Sequence, residues 1–125
     1  MKQRAKELKE QQSREESAQA VIDRIAELAE PDRALAEKIH QIVTAAAPQL
    51  TPRTWYGFPA YANADGKIVV FFKDAAKFKD RHATLGFETV AKLDDGEFWP
   101  VAFAVTGIDA TTEKKIAELV TKAAG

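Results

Sequence analysis

Residues 68–72, Ile-Val-Val-Phe-Phe, are all apolar and either β-branched or aromatic. Such a run is the pattern of a central strand. The surrounding sequence supplies neighbours through short connections. Asp65-Gly66, just before it, is a strong hairpin signal. Residues 53–57 read as one strand, and residues 61–63 as the start of the next. Residues 79–85 read as a further strand, polar enough for an edge. Asp94-Asp95-Gly96 is a turn, and residues 101–105 alternate large and small, with Val101, Phe103 and Val105 facing one way. Short turns leave no room for the crossovers that parallel pairs need, so the sheet is antiparallel, with about five strands.

On either side of this block the apolar period becomes helical. Val21, Ile25 and Leu28 share a face, flanked by Ala18, Ile22 and Ala29, and Ser17 is placed to cap them. Pro31 ends that helix and opens the next, which carries Leu35, Ile39, Ile42, Val43 and Ala46 and stops at Pro48. Thr111 is placed to cap a last helix with the stripe Ile116, Leu119, Val120 and Ala123. Residues 1–16 hold five bases, four acids and almost no apolar side chain. They favour helix by propensity but have no stripe to dock, so a frayed charged extension is expected there, followed by a single domain over residues 17–125. The expected class is α+β: an antiparallel sheet with helices on one face, in the order α-α-β-β-β-β-β-α.

Composition narrows the function classes. At 125 residues the chain fits one domain, and 46% hydrophobic content is ordinary for a globular core. The 18 basic and 19 acidic residues nearly cancel, which argues against a dedicated nucleic-acid binder. With no cysteine, disulfides, thiol catalysis and thiolate metal sites are excluded. Residues 1–14 lack the apolar core of a signal peptide, and no apolar run is long enough to span a membrane. A bacterial-type cytoplasmic protein, monomeric or weakly homodimeric, is the expectation.

Residues 54–61, Thr-Trp-Tyr-Gly-Phe-Pro-Ala-Tyr, pack four aromatic side chains, a glycine and a proline into eight positions. Pro59 should break the strand or lie at an edge, and Gly57 permits backbone closed to other residues. The plainer reading makes these rings core and corner. The functional reading leaves some of them lining a groove. Trp55, Tyr56, Tyr61 and Trp99 are its candidate rings, Lys77 and Arg81 its candidate rim together with Lys73 and Lys79, and residues 97–100 its other wall.

Other chemistry is sparse. Glu16, Asp23, Glu27 and Glu30 fall on one side of the first helix, the kind of carboxylate stripe that binds a hard cation or iron weakly, and also the solvated face that any amphipathic helix presents. His40 and His82 show no paired ligand spacing. No Ser-His-Asp set is apparent, and the six glycines are scattered singly, without a phosphate loop. Residues 67–81 carry five bases against two acids, and residues 88–97 four acids against one base, opposed patches suited to weak self-association.

The motifs Thr-Trp-Tyr-Gly-Phe-Pro-Ala-Tyr (54–61), Lys-Phe-Lys-Asp-Arg-His-Ala-Thr-Leu-Gly-Phe (77–87) and Trp-Pro-Val-Ala-Phe-Ala-Val (99–105), preceded by residues 31–48, resemble the YdhG-like family of small bacterial domains. The resemblance covers roughly residues 29–123. It implies a fold similar to frataxin, with a helical layer against an antiparallel sheet, and raises the iron-chaperone role attached to one branch. It does not carry over iron ligands, because the shared motifs are aromatic, Gly and Pro elements. The first helix here also carries Arg24 among its acids. The expectation is a non-enzymatic binding module without a cofactor, taking a small molecule or protein in the aromatic groove. The alternative is an iron-binding chaperone using Glu16, Asp23, Glu27 and Glu30.

Overall fold

Two hairpins set the sheet. In the computed structural model, which describes the chain from residue 2 and its side chains from residue 4, β1 (Thr51–Trp55) turns directly into β2 (Phe58–Ala62). Tyr56 and Gly57 form the two-residue loop, with φ of 51° and 77°. Positive φ at both loop positions is the primed-turn geometry that matches strand twist. The second hairpin joins β2 to β3 (Ile68–Lys73). There the Asn63 Oδ1 accepts from the amides of Asp65 and Lys67, both at 3.0 Å, and Gly66 takes φ 77°.

The chain continues through a single 3₁₀ turn (Ala76–Phe78) to β4 (Ala83–Phe87), then by a long connection to β5 (Ala102–Val105). All neighbours are antiparallel, in the order β1-β2-β3-β4-β5. Helices α1 (Lys2–Ala26), α2 (Asp32–Ala46) and α3 (Ala110–Ala124) complete the chain. The architecture is α+β in the order α-α-β-β-β-β-β-α. The core lies between helices and sheet: Val21, Ile25, Ile39, Val43, Ile116 and Val120 meet Tyr61, Val70, Phe72, Leu85, Phe87 and Val105.

Several sequence expectations need correcting. The first helix does not start at Ser17, which lies within α1; residues 4–16 are helical and exposed. Once the packed turns around Val21 and Ile25 nucleate the helix, each further residue adds a hydrogen bond, and good helix formers extend it. The cap of α3 is Asp109, not Thr111: its Oδ1 accepts from the Thr112 amide at 2.8 Å, which holds the carboxyl below its ordinary range. Residues 79–82 are connection rather than strand, and β4 lies between β3 and β5, so the sheet edges are β1 and β5. Pro59 neither breaks a strand nor sits at an edge. It is buried in β2, paired with Thr54, and the β2–β3 ladder begins one residue later, at Ala60. Its missing N–H therefore falls where no bond to β3 is due.

Candidate functional site

The three helices pack on one face of the sheet; the other carries a second, smaller apolar cluster of Ala60, Ala62 and Ile68 with Trp55 and Phe71 against them. Pairing places its residues. Trp55 lies opposite Phe58, Arg53 opposite Ala60, Ala60 opposite Phe71, and Phe71 opposite Gly86. Alternation keeps the β1 and β2 side chains together on the helix-free side, and the extra β3 residue between Ile68 and Val70 at the register shift brings Ile68 onto the same face as Phe71.

The rings form a connected row. Tyr56 meets Trp55 edge-on at 4.9 Å between centroids, and Trp55 lies 5.3 Å from Phe71. Phe71 stacks on Phe58 at 6.2 Å, and Phe58 lies 5.7 Å from Phe78. Lys73 Nζ sits 4.2 Å above the Phe78 ring, and Lys77 Nζ lies 5.7 Å from both Phe58 and Phe78. These are cation–π distances, and the ammonium groups remain available to an anion above the rings.

Each part of the row has a local cause. Gly86 has no side chain where the Phe71 ring lies, so the ring rests against β4. The turn that presents Lys77 and Phe78 is held by two buried carboxylates. Asp32 Oδ2 accepts from the Ala76 amide at 3.0 Å and Asp74 Oδ2 from the Lys77 amide at 3.4 Å, while Asp74 Oδ1 has no hydrogen-bond partner. Arg24 on α1 donates from Nε to the Gly57 carbonyl at 2.8 Å and ties the helix to the Tyr56-Gly57 turn. Beside Trp55 an open groove of 470 Å³ is lined by Arg53, Lys67, Ile68, Glu88, Thr89 and Val90. A second cleft of 640 Å³ runs between α1 and the β1 edge, past Arg14, Ser17, Thr51 and Asn63.

The structure brings together three of the six candidate site residues: Trp55, Tyr56 and Lys77. Tyr61 points the other way. It is 1% exposed in the main core, where its hydroxyl lies 2.9 Å from His40 Nδ1, and burial pushes its pKa upward. Burial lowers the pKa of His40. Trp99 sits on the β4–β5 connection and packs against the helix-side core, so residues 97–100 are not a wall of this groove. Arg81 is exposed and makes no ion pair or ring contact among the described residues. Sequence reasoning missed Arg53, Phe58, Phe71 and Phe78. The unbroken apolar run at 68–72 was the available signal: in an antiparallel strand it puts large side chains on both faces.

The carboxylate stripe does not converge. Asp23 accepts from Gln19 Nε2 at 2.9 Å, Glu27 pairs with Arg24 at 3.3 Å and Glu30 with Arg33 at 2.9 Å. Glu16 is exposed, and Glu27 and Glu30 lie beyond the end of α1. Among the described residues no three His, Asp or Glu side chains are placed to share a metal ion. His82 is not near a second histidine in sequence, and its Nδ1 lies 3.0 Å from the Ala83 carbonyl oxygen. No described helix is long and apolar enough to cross a membrane. In comparison with known proteins, no family model, curated protein or solved structure matches the chain.

Proposed function

We propose that the protein is a non-enzymatic binding module whose helix-free sheet face holds a planar, anionic ligand. Trp55, Tyr56 and Phe71 supply π-faces, and Lys73 and Lys77 supply positive charge. One observation carries the reading. Tyr56 is 78% exposed and is held at φ 51°, a conformation that a bulky side chain adopts only at a cost of about 1–3 kcal/mol. Asn-Gly would make the more stable turn, so folding alone does not account for tyrosine here. An exposed ring beside a tryptophan and two lysines is what stacking on an anionic ring needs. The residues most displaced in pKa by burial, His40 and Tyr61, lie on the other side of the sheet, away from these groups. The YdhG-like resemblance supports the reading through the same Tyr-Gly turn, and the module is read as cytoplasmic, a monomer or weak homodimer.

Naphthalene-2-sulfonate, a planar aromatic anion, tests this. Titration into ¹⁵N-labelled protein should move the Trp55 indole and the amides of Tyr56, Phe71 and Lys77. Shifts confined to the helix side, or none at millimolar probe, would overturn the assignment.

A further inference from the structure

We infer that the occupant of this face is single-stranded nucleic acid. The inference rests on the binding reading above and adds the class of ligand.

The first argument is shape. Five rings from β1, the β1–β2 turn, β2, β3 and the 3₁₀ turn form a row with neighbours 4.9–6.2 Å apart. Trp55 borders an open groove rather than an enclosed cavity, and Tyr56 and Phe78 are exposed. Ligands held in enclosed pockets are surrounded, whereas successive bases of a single strand are held by stacking on exposed rings. Sheet faces that bind RNA stack about two or three bases on aromatic side chains in adjacent strands. Beyond Phe71 the face is made of small side chains. Gly86, Ala102 and Ala104 follow on β4 and β5, leaving a flat approach for a base.

The second argument is the placement of charge. Arg53 and Lys67 line the groove beside Trp55, near the start of β3, whereas Lys73 and Lys77 lie outside that groove, beside Phe78 and Phe58. Lys67 stands just before β3 and Lys73 ends it, a separation of at most about 20 Å. A compact anion reaches one pair only. A chain of phosphates crossing the rings meets both. The near-zero charge of the whole chain is set mostly by the helices, which carry both signs. At the ring row and the groove beside it Arg53, Lys67, Lys73 and Lys77 stand against Glu88, and it is this local excess that a phosphate chain meets. Glu88 is the carboxylate in the groove, across from Arg53 and Lys67, and it opposes a phosphate there. With only about four cations engaged, binding is weak and strongly salt-dependent.

The test is fluorescence anisotropy with a fluorescein-labelled oligouridylate of about eight nucleotides at low salt, long enough to cross the row. The wild-type protein should bind it saturably. Tyr56→Asn removes one stacking ring while giving the turn its preferred Asn-Gly sequence, so it folds at least as well and should bind about five- to 150-fold more weakly. Lys77→Gln should reduce the slope of log K against log salt by about 0.7, the value for one phosphate contact on a single strand. Glu88→Gln should tighten binding. Absence of saturable binding overturns the inference, as does equal affinity for Tyr56→Asn. Displacement by polyglutamate as effective as by unlabelled oligonucleotide also overturns it, pointing to an acidic protein instead. If naphthalene-2-sulfonate maps to this face and the oligonucleotide does not bind, this inference fails and the binding module stands. If neither binds, both fall.

Discussion

Gly86→Ala is the substitution whose effect the geometry constrains most closely. Gly86 pairs with Phe71 across β4 and β3, and a Cβ at residue 86 would fall within 2.8 Å of the Cζ, Cε1 and Cε2 atoms of the Phe71 ring. The ring has to leave its seat. It is half-buried between Trp55 and Phe58, so it can swing toward solvent, at the cost of both contacts. Overpacking of this kind costs about 1–3 kcal/mol. Alanine recovers about 0.5–1 kcal/mol relative to glycine within a strand, and Gly86 has no positive φ to oppose it. The net loss is about 1 kcal/mol, and at the usual unfolding entropy per residue that is a Tm lowered by about 4 °C for a chain of this size. In a Phe71→Ala background the clash is gone, so Gly86→Ala should there be stabilising by about 0.5–1 kcal/mol. Urea or thermal unfolding of the four proteins gives the coupling, about 1.5–2 kcal/mol. A neutral Gly86→Ala in the wild type, or the same loss with and without the Phe71 ring, would refute the account of why the ring lies where it does.

Three other outcomes follow from the same structure. Tyr56→Asn should raise Tm, because relief of about 1 kcal/mol or more of positive-φ strain exceeds the roughly 0.5 kcal/mol of the exposed Trp55–Tyr56 ring contact; differential scanning calorimetry reads the sign. Arg24→Gln should cost about 1 kcal/mol, because the Gly57 carbonyl loses a charged donor, and should speed amide exchange in the Tyr56-Gly57 turn, measurable by hydrogen–deuterium exchange. The His40–Tyr61 pair bounds the stability plateau on both sides. Burial lowers the His40 pKa, so the unfolded chain takes up the proton first and stability falls as pH drops below about 6.5. Burial raises the Tyr61 pKa, so the unfolded chain loses that proton first and stability falls as pH rises above about 10. Tyr61→Phe should cost about 1 kcal/mol at neutral pH through the lost bond to His40, and should lose the Tyr61 part of the alkaline decline. Urea titrations at several pH values, compared between the two proteins, test both.

The fold was legible because its signals are local. Stripes such as Leu35-Ile39-Val43 have one reading, and Asp65-Gly66 beside residues 68–72 has one sensible geometry. What failed depended on partners distant in sequence. Whether Pro59 breaks a strand turns on where the ladder to β3 begins, which only the register shows. Residues 79–82 looked like an edge strand because polar residues suit both edges and connections. The site was half legible. Trp55 and Tyr56 are adjacent in sequence, so clustering found them, and Lys77 was named as part of the basic run 73–81, which the 3₁₀ turn brings beside Gly57. Tyr61 was misplaced because one residue of alternation decides its face, and the two-residue turn at Tyr56-Gly57 fixes that alternation. Trp99 lies on a connection, where no period indicates which side a ring joins. Phe71 follows from Phe72 by alternation alone: if one faces the helices, the other faces away.

The two tryptophans lie apart, Trp55 in the ring row and Trp99 on the helix-side core, and they make a direct reporter of where ligand binds. The decisive measurement is tryptophan quenching by naphthalene-2-sulfonate in Trp99→Phe, which leaves Trp55 as the fluorophore, against Trp55→Phe, which leaves Trp99. The account predicts saturable quenching in Trp99→Phe and none in Trp55→Phe; saturable quenching of Trp99 alone would contradict it.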